Sequence, residues 1–583
     1  MVYSTHSRVR ASSLIAIALL SACGPAVGPH APITPQEGVP VVAPAAEAAK
    51  PLPSGDTSAV PAPNSLVVTG HLRSASELES QLGVGIASLF GGASGQANEA
   101  FDANQPFDFA VTASGKGRGL RAAWAMSFPI KNNAVTRTAL EQHASVTERD
   151  GILYLEDKQA DESKTRCAVA SAFGPATHRI ICASDGPSLE LMAPYLARTL
   201  TREEVKDLVS IHFDVRPLHE TVRTMRALAD VLVEDRLGRK ERELVGPMIG
   251  HLLDACTDYV GDLSVADLAI DPGQTDVTAS LTFHYDSSKS PLTKSILARA
   301  DRNHAPADAF LHLPKDTKFA VSHNGVPKES QEMLRAYKDA LKNAADQVPD
   351  GGKLAKEKEQ AIKMVTDLID QLLADAPGAL GVGFEGSLRG LRSDRKTLWI
   401  ALEQDAPVSR WIAIVKQMPT RGKDLVKFGP ASASRRLPAG SYTADIAVPR
   451  GPGYSLALVP LSKGRTLVAF AGSETALKHV VDSVASKEVG LGAVATIDAL
   501  KAQPSNSFIA VRASVFEVPG AGEDDFVTVA STATSSGGGG TGTIKWWAPK
   551  PLISTVLGLL KHMGGSAGKR HGEPKLGPDE PDN

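Results

Sequence analysis

Between Val277 and Tyr285 every second residue is apolar: Val277, Ala279, Leu281, Phe283 and Tyr285 alternate with Thr278, Ser280, Thr282 and His284. A period of two predicts a β-strand with one wet face. The stretch 209–215 predicts another, with Val209, Ile211, Phe213 and Val215 on one side and His212 and Asp214 on the other. A similar run near residue 508 sets Ile509, Val511 and Val515 inward and places Arg512 where the earlier strand has His212. Elsewhere the period lengthens to that of a helix. The stretch 327–378 predicts two helices with apolar stripes, Met333, Tyr337 and Leu341, then Ile362, Val365, Ile369 and Leu372. Pro349-Asp350-Gly351-Gly352 breaks them apart. A second helical pair is predicted over about 217–260, with Cys256 as a buried thiol in its apolar run. Gly537 to Gly540 reads as a loose loop.

The strand and helix patterns recur in one order. "SLVVTGHLRS" near residue 65 is similar to "KFAVSHNGVP" near 318. A strand carrying Trp124 and a following helix have a counterpart in a strand carrying Trp399 and its helix. "HRIICASDGPSLELMAPYLA" from 178 is matched by "RTLVAFAGSETALKHVVDSV" from 465: strand, small polar turn, amphipathic helix. The strand at 208 is matched at 508, and "TASLTFHYDSSKSPLTKSIL" from 278 by "TGTIKWWAPKPLISTVLGLL" from 541. Repetition in order predicts a duplication. The shared inward pattern with different outward residues is what a shared core requires, and a shared active site does not follow from it.

The N-terminus has another design. Arg8 and Arg10 precede an apolar run from Leu14 to Leu20, too short for a bilayer span of about 20 residues. Small residues follow, the order of a secretory signal peptide. Leu20-Ser21-Ala22-Cys23 resembles the lipobox of bacterial lipoproteins. The resemblance implies cleavage before Cys23, a diacylglycerol thioether on its sulfur and acylation (such as palmitate) of the new amino terminus. Gly24 in the position after the cysteine implies the outer membrane of a Gram-negative cell. Residues 24–64 are rich in proline and alanine and carry no apolar face. Such a segment predicts a semi-extended tether, reaching on the order of 100 Å in polyproline geometry.

Composition adds limits. A chain of 583 residues exceeds one core. A formal charge of -3 without a long basic run excludes an electrostatic case for nucleic acid. An aromatic content of 5% argues against a carbohydrate-stacking surface. Cys167 and Cys182 flank a stretch whose midpoint is the turn Gly174-Pro175. A hairpin closed there would oppose the cysteines and permit a disulfide in an oxidising compartment; two reduced cysteines on neighbouring strands are the alternative.

Candidate chemistry is thin. Gly564-Gly565-Ser566-Ala567-Gly568 fits the G-x-S-x-G spelling of serine hydrolases, but follows a helical pattern and opens a polar tail. Gly568-Lys569 lacks the spacing and the Ser or Thr of a phosphate-binding loop. His212, Asp214 and His219 fall on a strand and a helix start without zinc-ligand spacing, and His284, His304, His312 and His323 are scattered. Glu523-Asp524-Asp525 lacks a calcium-loop spacing. The reading therefore names no catalytic residue, no metal and no cofactor.

The expected fold is α+β: two related lobes of mainly antiparallel sheet packed with helices, each with an inserted helical hairpin, behind a disordered tether. The expected boundaries are a signal peptide at 1–22, lipidated Cys23 and linker at 23–64, repeats at 65–305 and 306–562, and a disordered tail at 563–583. The body resembles exported bacterial proteins built from repeated strand–helix modules, on segments such as "AGSETALKHVV"; that resemblance implies a fold and no activity. The expected function is a lipid-anchored envelope protein with a non-enzymatic binding or structural body, partnered by the membrane and by an envelope protein. An exported hydrolase with a dispersed site is the alternative. An extended exposed apolar patch would favour a chaperone-like role.

Overall fold

The computed structural model describes residues 52, 54–83, 101–116, 119–130, 144–157, 166–236, 250, 253–331, 377–385, 396–418, 426–448, 453–461, 464–487, 490–517 and 522–555. Cys23, residues 332–376 of the expected helical pair, the helix expected after Trp124, Ser566, Lys569 and the expected tail 563–583 lie outside them. The fold is α+β with extensive antiparallel sheet. Its contacts divide the chain into two units, residues 1–112, 122–210 and 553–583 in one, and 113–121 and 211–552 in the other.

The first unit contains β1 (Leu66–Leu72), most of β2 (Phe107–Lys116) and of β3 (Gly119–Pro129), β4 (Ala144–Arg149), β5 (Ile152–Asp157), β6 (Arg166–Ser171) and β7 (His178–Ala183). They pair in the order β1-β2-β3-β7-β6-β5-β4. Helix α1 (Gly186–Arg198) starts where the Asp185 side chain accepts from the Ser188 N–H, and its face of Leu189, Met192 and Leu196 is fully buried with β6 and β7. The end of the expected tether is not free. Leu52 is buried among Leu153, Leu155, Val169 and Ile180. Gly55 N–H donates to Ser171 Oγ at 2.8 Å, and Thr199 Oγ1 both accepts from Val60 N–H and donates to Val60 C=O. Composition made residues 52–64 a linker; packed side chains and paired backbone groups make them part of the unit.

The second unit contains most of β8 (Val209–Asp214), then helix α2 (His219–Arg236), β9 (Leu263–Pro272), β10 (Asp276–Tyr285), helix α3 (Pro291–Leu297), β11 (Thr317–Asn324), β12 (Pro377–Gly383) and β13 (Trp399–Gln404). Helix α4 (Val408–Gln417) follows, then β14 (Lys427–Phe428), β15 (Ser432–Ala433), β16 (Tyr442–Ala447), β17 (Tyr454–Pro460) and β18 (Thr466–Ala471). The unit closes with helix α5 (Glu474–Ala485), β19 (Ser507–Arg512), β20 (Phe526–Ser536) and β21 (Gly539–Pro549). Their ladder runs β9-β10-β21-β20-β19-β11-β12-β13-β18-β17-β16, with β14 and β15 beside β16. Within it, β11-β12-β13-β18-β17-β16 repeats the connectivity of β1-β2-β3-β7-β6-β5. Helix α5 follows β18 as α1 follows β7, with Ser473 accepting from Ala476 N–H as its cap. The sequence match that sets Thr278 against Thr541 also sets Leu281 against Ile544. The ladder puts those two residues opposite each other, so the matched strands β10 and β21 pair about a local two-fold.

Three local expectations need correction. Gly537 and Gly538 are the two central residues of the β20–β21 hairpin, both at positive φ (54° and 96°), as primed hairpin turns require; no loose loop is present there. In β19 the fully buried face carries Phe508, Ala510 and Arg512, while Ile509 and Val511 are half-buried. Small Ala510 fits against Ala320 under the core, and Arg512 can be buried because its guanidinium donates to the carbonyls of Lys315 and Thr317 and lies over the Phe526 ring. Val515 belongs to a 3-10 turn beyond the strand. Cys256 is exposed, while its described apolar neighbours Ala255 and Tyr259 are half-buried.

The two faces of the second unit's sheet differ. One carries small residues, Ala320, Ala379, Ala401, Ala469 and Ala510, buried in a core with Phe508, Trp399 and the Leu477, Val480 and Val484 stripe of α5. The other carries larger aliphatic side chains that are half-buried.

Candidate functional site

A buried ionic network in the first unit is the clearest polar constellation, and sequence reading missed it. The ladder sets His71 on β1 directly opposite Asp108 on β2. His71 Nδ1 lies 2.7 Å from Asp108 Oδ1, and Asp108 Oδ2 lies 2.7 Å from Arg179 Nη2. All three residues are buried. Arg179 also donates through Nε to Ser127 Oγ (2.6 Å) and through Nη2 to the carbonyls of Pro106 and Ser127 (2.8 and 3.0 Å). On its other side His71 Nε2 meets Glu203 Oε2 at 3.2 Å. Burial pushes the imidazolium toward deprotonation, but hydrogen bonds to Asp108 and Glu203 and their charges outweigh it, and the His71 pKa is raised to about 9. His71 is thus a charged tie between two carboxylates at neutral pH. The only sequence signals were polar intrusions in apolar runs, such as Asp108 in "FDFAV"; their convergence is set by strand pairing.

The second unit does not repeat the network. Asn324, the residue the matched strands set against His71, stands opposite Pro377 on β12, and His323 beside it, on the other face of the sheet, stands opposite Gly378. A Cβ at Gly378 would come within 2.8 Å of His323 Nε2, so the ring occupies the space an acid would need. The buried acid is instead Glu403 on β13, whose Oε1 meets Arg465 Nη1 at 2.9 Å. Burial, then the charges of Arg299 and Arg465, push the His323 pKa down, leaving that histidine neutral.

A third constellation is exposed. His212 Nδ1 lies 2.7 Å from Asp267 Oδ1, and His284 Nε2 lies 2.9 Å from Asp267 Oδ2. The two histidines, far apart in sequence, thus grip one carboxylate on the wet sheet face. Thr282 and Thr543 continue that face with hydroxyls 3.1 Å apart. His219 belongs elsewhere: its Nε2 is 2.9 Å from the Leu263 carbonyl oxygen. Asp214 pairs with Arg216, whose hydrogen bond holds the carboxyl below its usual range. His304 joins Ser505 through the backbone, and the His312 carbonyl accepts from Ser483 Oγ. In the acidic run Asp525 caps Gly522 N–H, while Asp524 lies 3.8 Å from Arg512. Among the described residues no group of three His, Cys, Asp or Glu side chains is placed to hold a metal ion.

Cys167 on β6 and Cys182 on β7 are directly opposite in the ladder, with Cα atoms 4.0 Å apart and sulfurs joined. No described helix is long and apolar enough to cross a membrane.

No protein-family model matches the chain, and no curated protein does. Among solved structures, crystal form III of TP0453 is similar over 40% of this chain and 79% of that one, at 11% identity and a TM-score of 0.21. Crystal form I of TP0453 is similar over 41% and 80%, at 12% identity and the same TM-score.

Proposed function

We propose that this chain is an exported, lipid-anchored envelope protein whose duplicated body is a binding or structural module. The observation that carries the reading is the N-terminal order of charge, short apolar run and Leu20-Ser21-Ala22-Cys23. Acyl chains on Cys23 would hold the protein on a membrane, since each buried methylene contributes about 0.8 kcal/mol; the residue after it favours the outer membrane. The joined Cys167 and Cys182 support an oxidising compartment. The recurring strand order supports repeats at 65–305 and 306–562. An envelope protein is the expected partner.

The hydrolase reading loses its best pair. His71 and Asp108 resemble a base and its orienter, but the remaining ring nitrogen of His71 faces Glu203 and the ring is charged at neutral pH. A protonated imidazole cannot act as a general base.

Two experiments test this reading. Cys23→Ala should abolish metabolic labelling with a radiolabelled fatty acid and shift the protein from membrane to soluble fractions; unchanged retention rejects the anchor. In exported material, Cys167 and Cys182 should resist alkylation in denaturant until reductant is added, and replacing both by serine should cost roughly 3 kcal/mol by the chain-entropy estimate for a loop of this size. Immediate alkylation of both would reject the crosslink. Crosslinking and pull-down from cells would identify the partner.

A further inference from the structure

We infer that the half-buried aliphatic face of the second unit's sheet binds the acyl chains of an anionic phospholipid, with the headgroup phosphate at Arg299 and Arg302. The inference deepens, and rests on, the reading of the body as a binding module; it does not depend on the anchor.

The face is defined by register. Directly opposed pairs form one row across six neighbouring strands: Trp546, Val529, Ile509, Val321, Leu380 and Leu402. The adjacent row runs Val527, Val511, Phe319, Val382 and Ile400. Every one of these side chains is half-buried, whereas alternate residues on β20, β19, β11, β12 and β13, such as Ala530, Phe508, Ala510, Ala320, Ala379 and Ala401, fill the core. Ile544, beside the first row, is exposed. Two described helices mark the ends of the face. Helix α4 packs with Leu402 and Phe470 at one end. Helix α3 lies over β21 at the other, where a Cβ at Gly542 would stand 3.0 Å from Ile296. Large apolar side chains, with the Trp546 indole N–H as the one polar group among the two rows, recognise hydrocarbon.

The row on the opposite side of the first changes character: Ile544 is followed by Ser531, Ser507 and His323. Ser507 and Ser531 hydroxyls are 2.6 Å apart. Arg299 and Arg302 follow α3 on this side; Asn303 binds the Ala533 carbonyl of β20 at 2.8 Å. Arg299 Nε is buried without a hydrogen-bond partner among the described residues. Burial and then the charge of Arg302 push the Arg299 pKa down, and Arg299 in turn acts on His323. Positive charge thus gathers where the aliphatic rows give way to hydroxyls and imidazole. Apolar rows ending at guanidinium groups match the division of an anionic phospholipid into chains and phosphate.

Trp546 reports on occupancy. Full-length protein carrying Cys23→Ala is titrated with vesicles of phosphatidylglycerol brominated on its acyl chains, and tryptophan fluorescence is followed. Quenching is expected, and Trp546→Phe should remove at least about half of it, because bromine quenches at short range. Arg299→Ala should raise the half-saturating phosphatidylglycerol concentration about tenfold, the loss of one charge-assisted contact, and leave brominated phosphatidylcholine little changed. Val529→Thr, nearly the same shape, should weaken both lipids. Circular dichroism melts confirm that each variant is folded. Absence of quenching, or quenching indifferent to Trp546→Phe, overturns the assignment. So does a dimer in sedimentation that Trp546→Phe dissolves, since the face would then bind a second copy. If quenching fails while a pulled-down envelope partner persists, the lipid assignment falls and the binding-module reading stands.

Discussion

Replacing Asp108 by alanine is expected to destabilise the first unit by about 3–5 kcal/mol, the cost of removing one partner from a buried ionic network. Arg179 and His71 would both remain buried while losing the carboxylate between them. Ser127→Ala, which leaves the charges paired and removes only the acceptor of Arg179 Nε–H, should cost less, about 1.5–3 kcal/mol. Chemical denaturation at pH 7 separates the two outcomes. A loss below about 1 kcal/mol for Asp108→Ala would mean that water reaches and solvates the network, against its burial.

The same network fixes a pH dependence. The His71 pKa rises from the ordinary 6.5 to about 9 on folding, so the folded state binds the proton more tightly. Its stabilisation is complete below about pH 6.5, declines as pH rises toward 9 and is absent above. The span is on the order of 3 kcal/mol. His71→Gln should flatten this part of the stability profile. A profile from pH 6.5 to 9.5 that is the same in both proteins would reject the charged state of His71.

The second large effect concerns Trp399, the largest fully buried side chain. Its indole lies over Gly383, directly opposite it in the β12–β13 ladder, and a Cβ at Gly383 would overlap the ring. Trp399→Ala should cost about 3–5 kcal/mol through lost contacts and a cavity. Gly383→Ala should cost about 1–3 kcal/mol by overpacking, and Trp399→Leu should recover part of that loss. Additive losses in the double variant, read from denaturation midpoints, would show that the two residues do not share one space. Gly70 and Phe109 repeat the arrangement between β1 and β2, so one packing device serves both units.

Much of the architecture was legible in the chain. The alternation at 277–285 matched β10, because a half-wet strand writes its period into the sequence. The cap of α5 was visible at Ser473, and the matched order of segments anticipated the recurring strand order. Errors came where both faces of a strand are apolar. In β19 alternation could not distinguish the row Phe508, Ala510 from the row Ile509, Val511, and the intuition that arginine faces water reversed them. Proline and alanine content likewise concealed the packing of residues 52–64, since Leu52 and Val60 are anchored by groups more than a hundred residues away.

The sequence by itself determined what local chemistry can encode: the strand and helix periods, the helix caps and the spacing that let Cys167 and Cys182 meet across a hairpin. Tertiary structure alone decided which polar residues became neighbours. His71, Asp108 and Arg179 lie on separate strands, as do His212, Asp267 and His284, and only the pairing of distant strands brings each set together. The physical reason is range: dihedral preference and periodicity act within a few residues, whereas burial and charge compensation depend on groups the chain must fold to bring near.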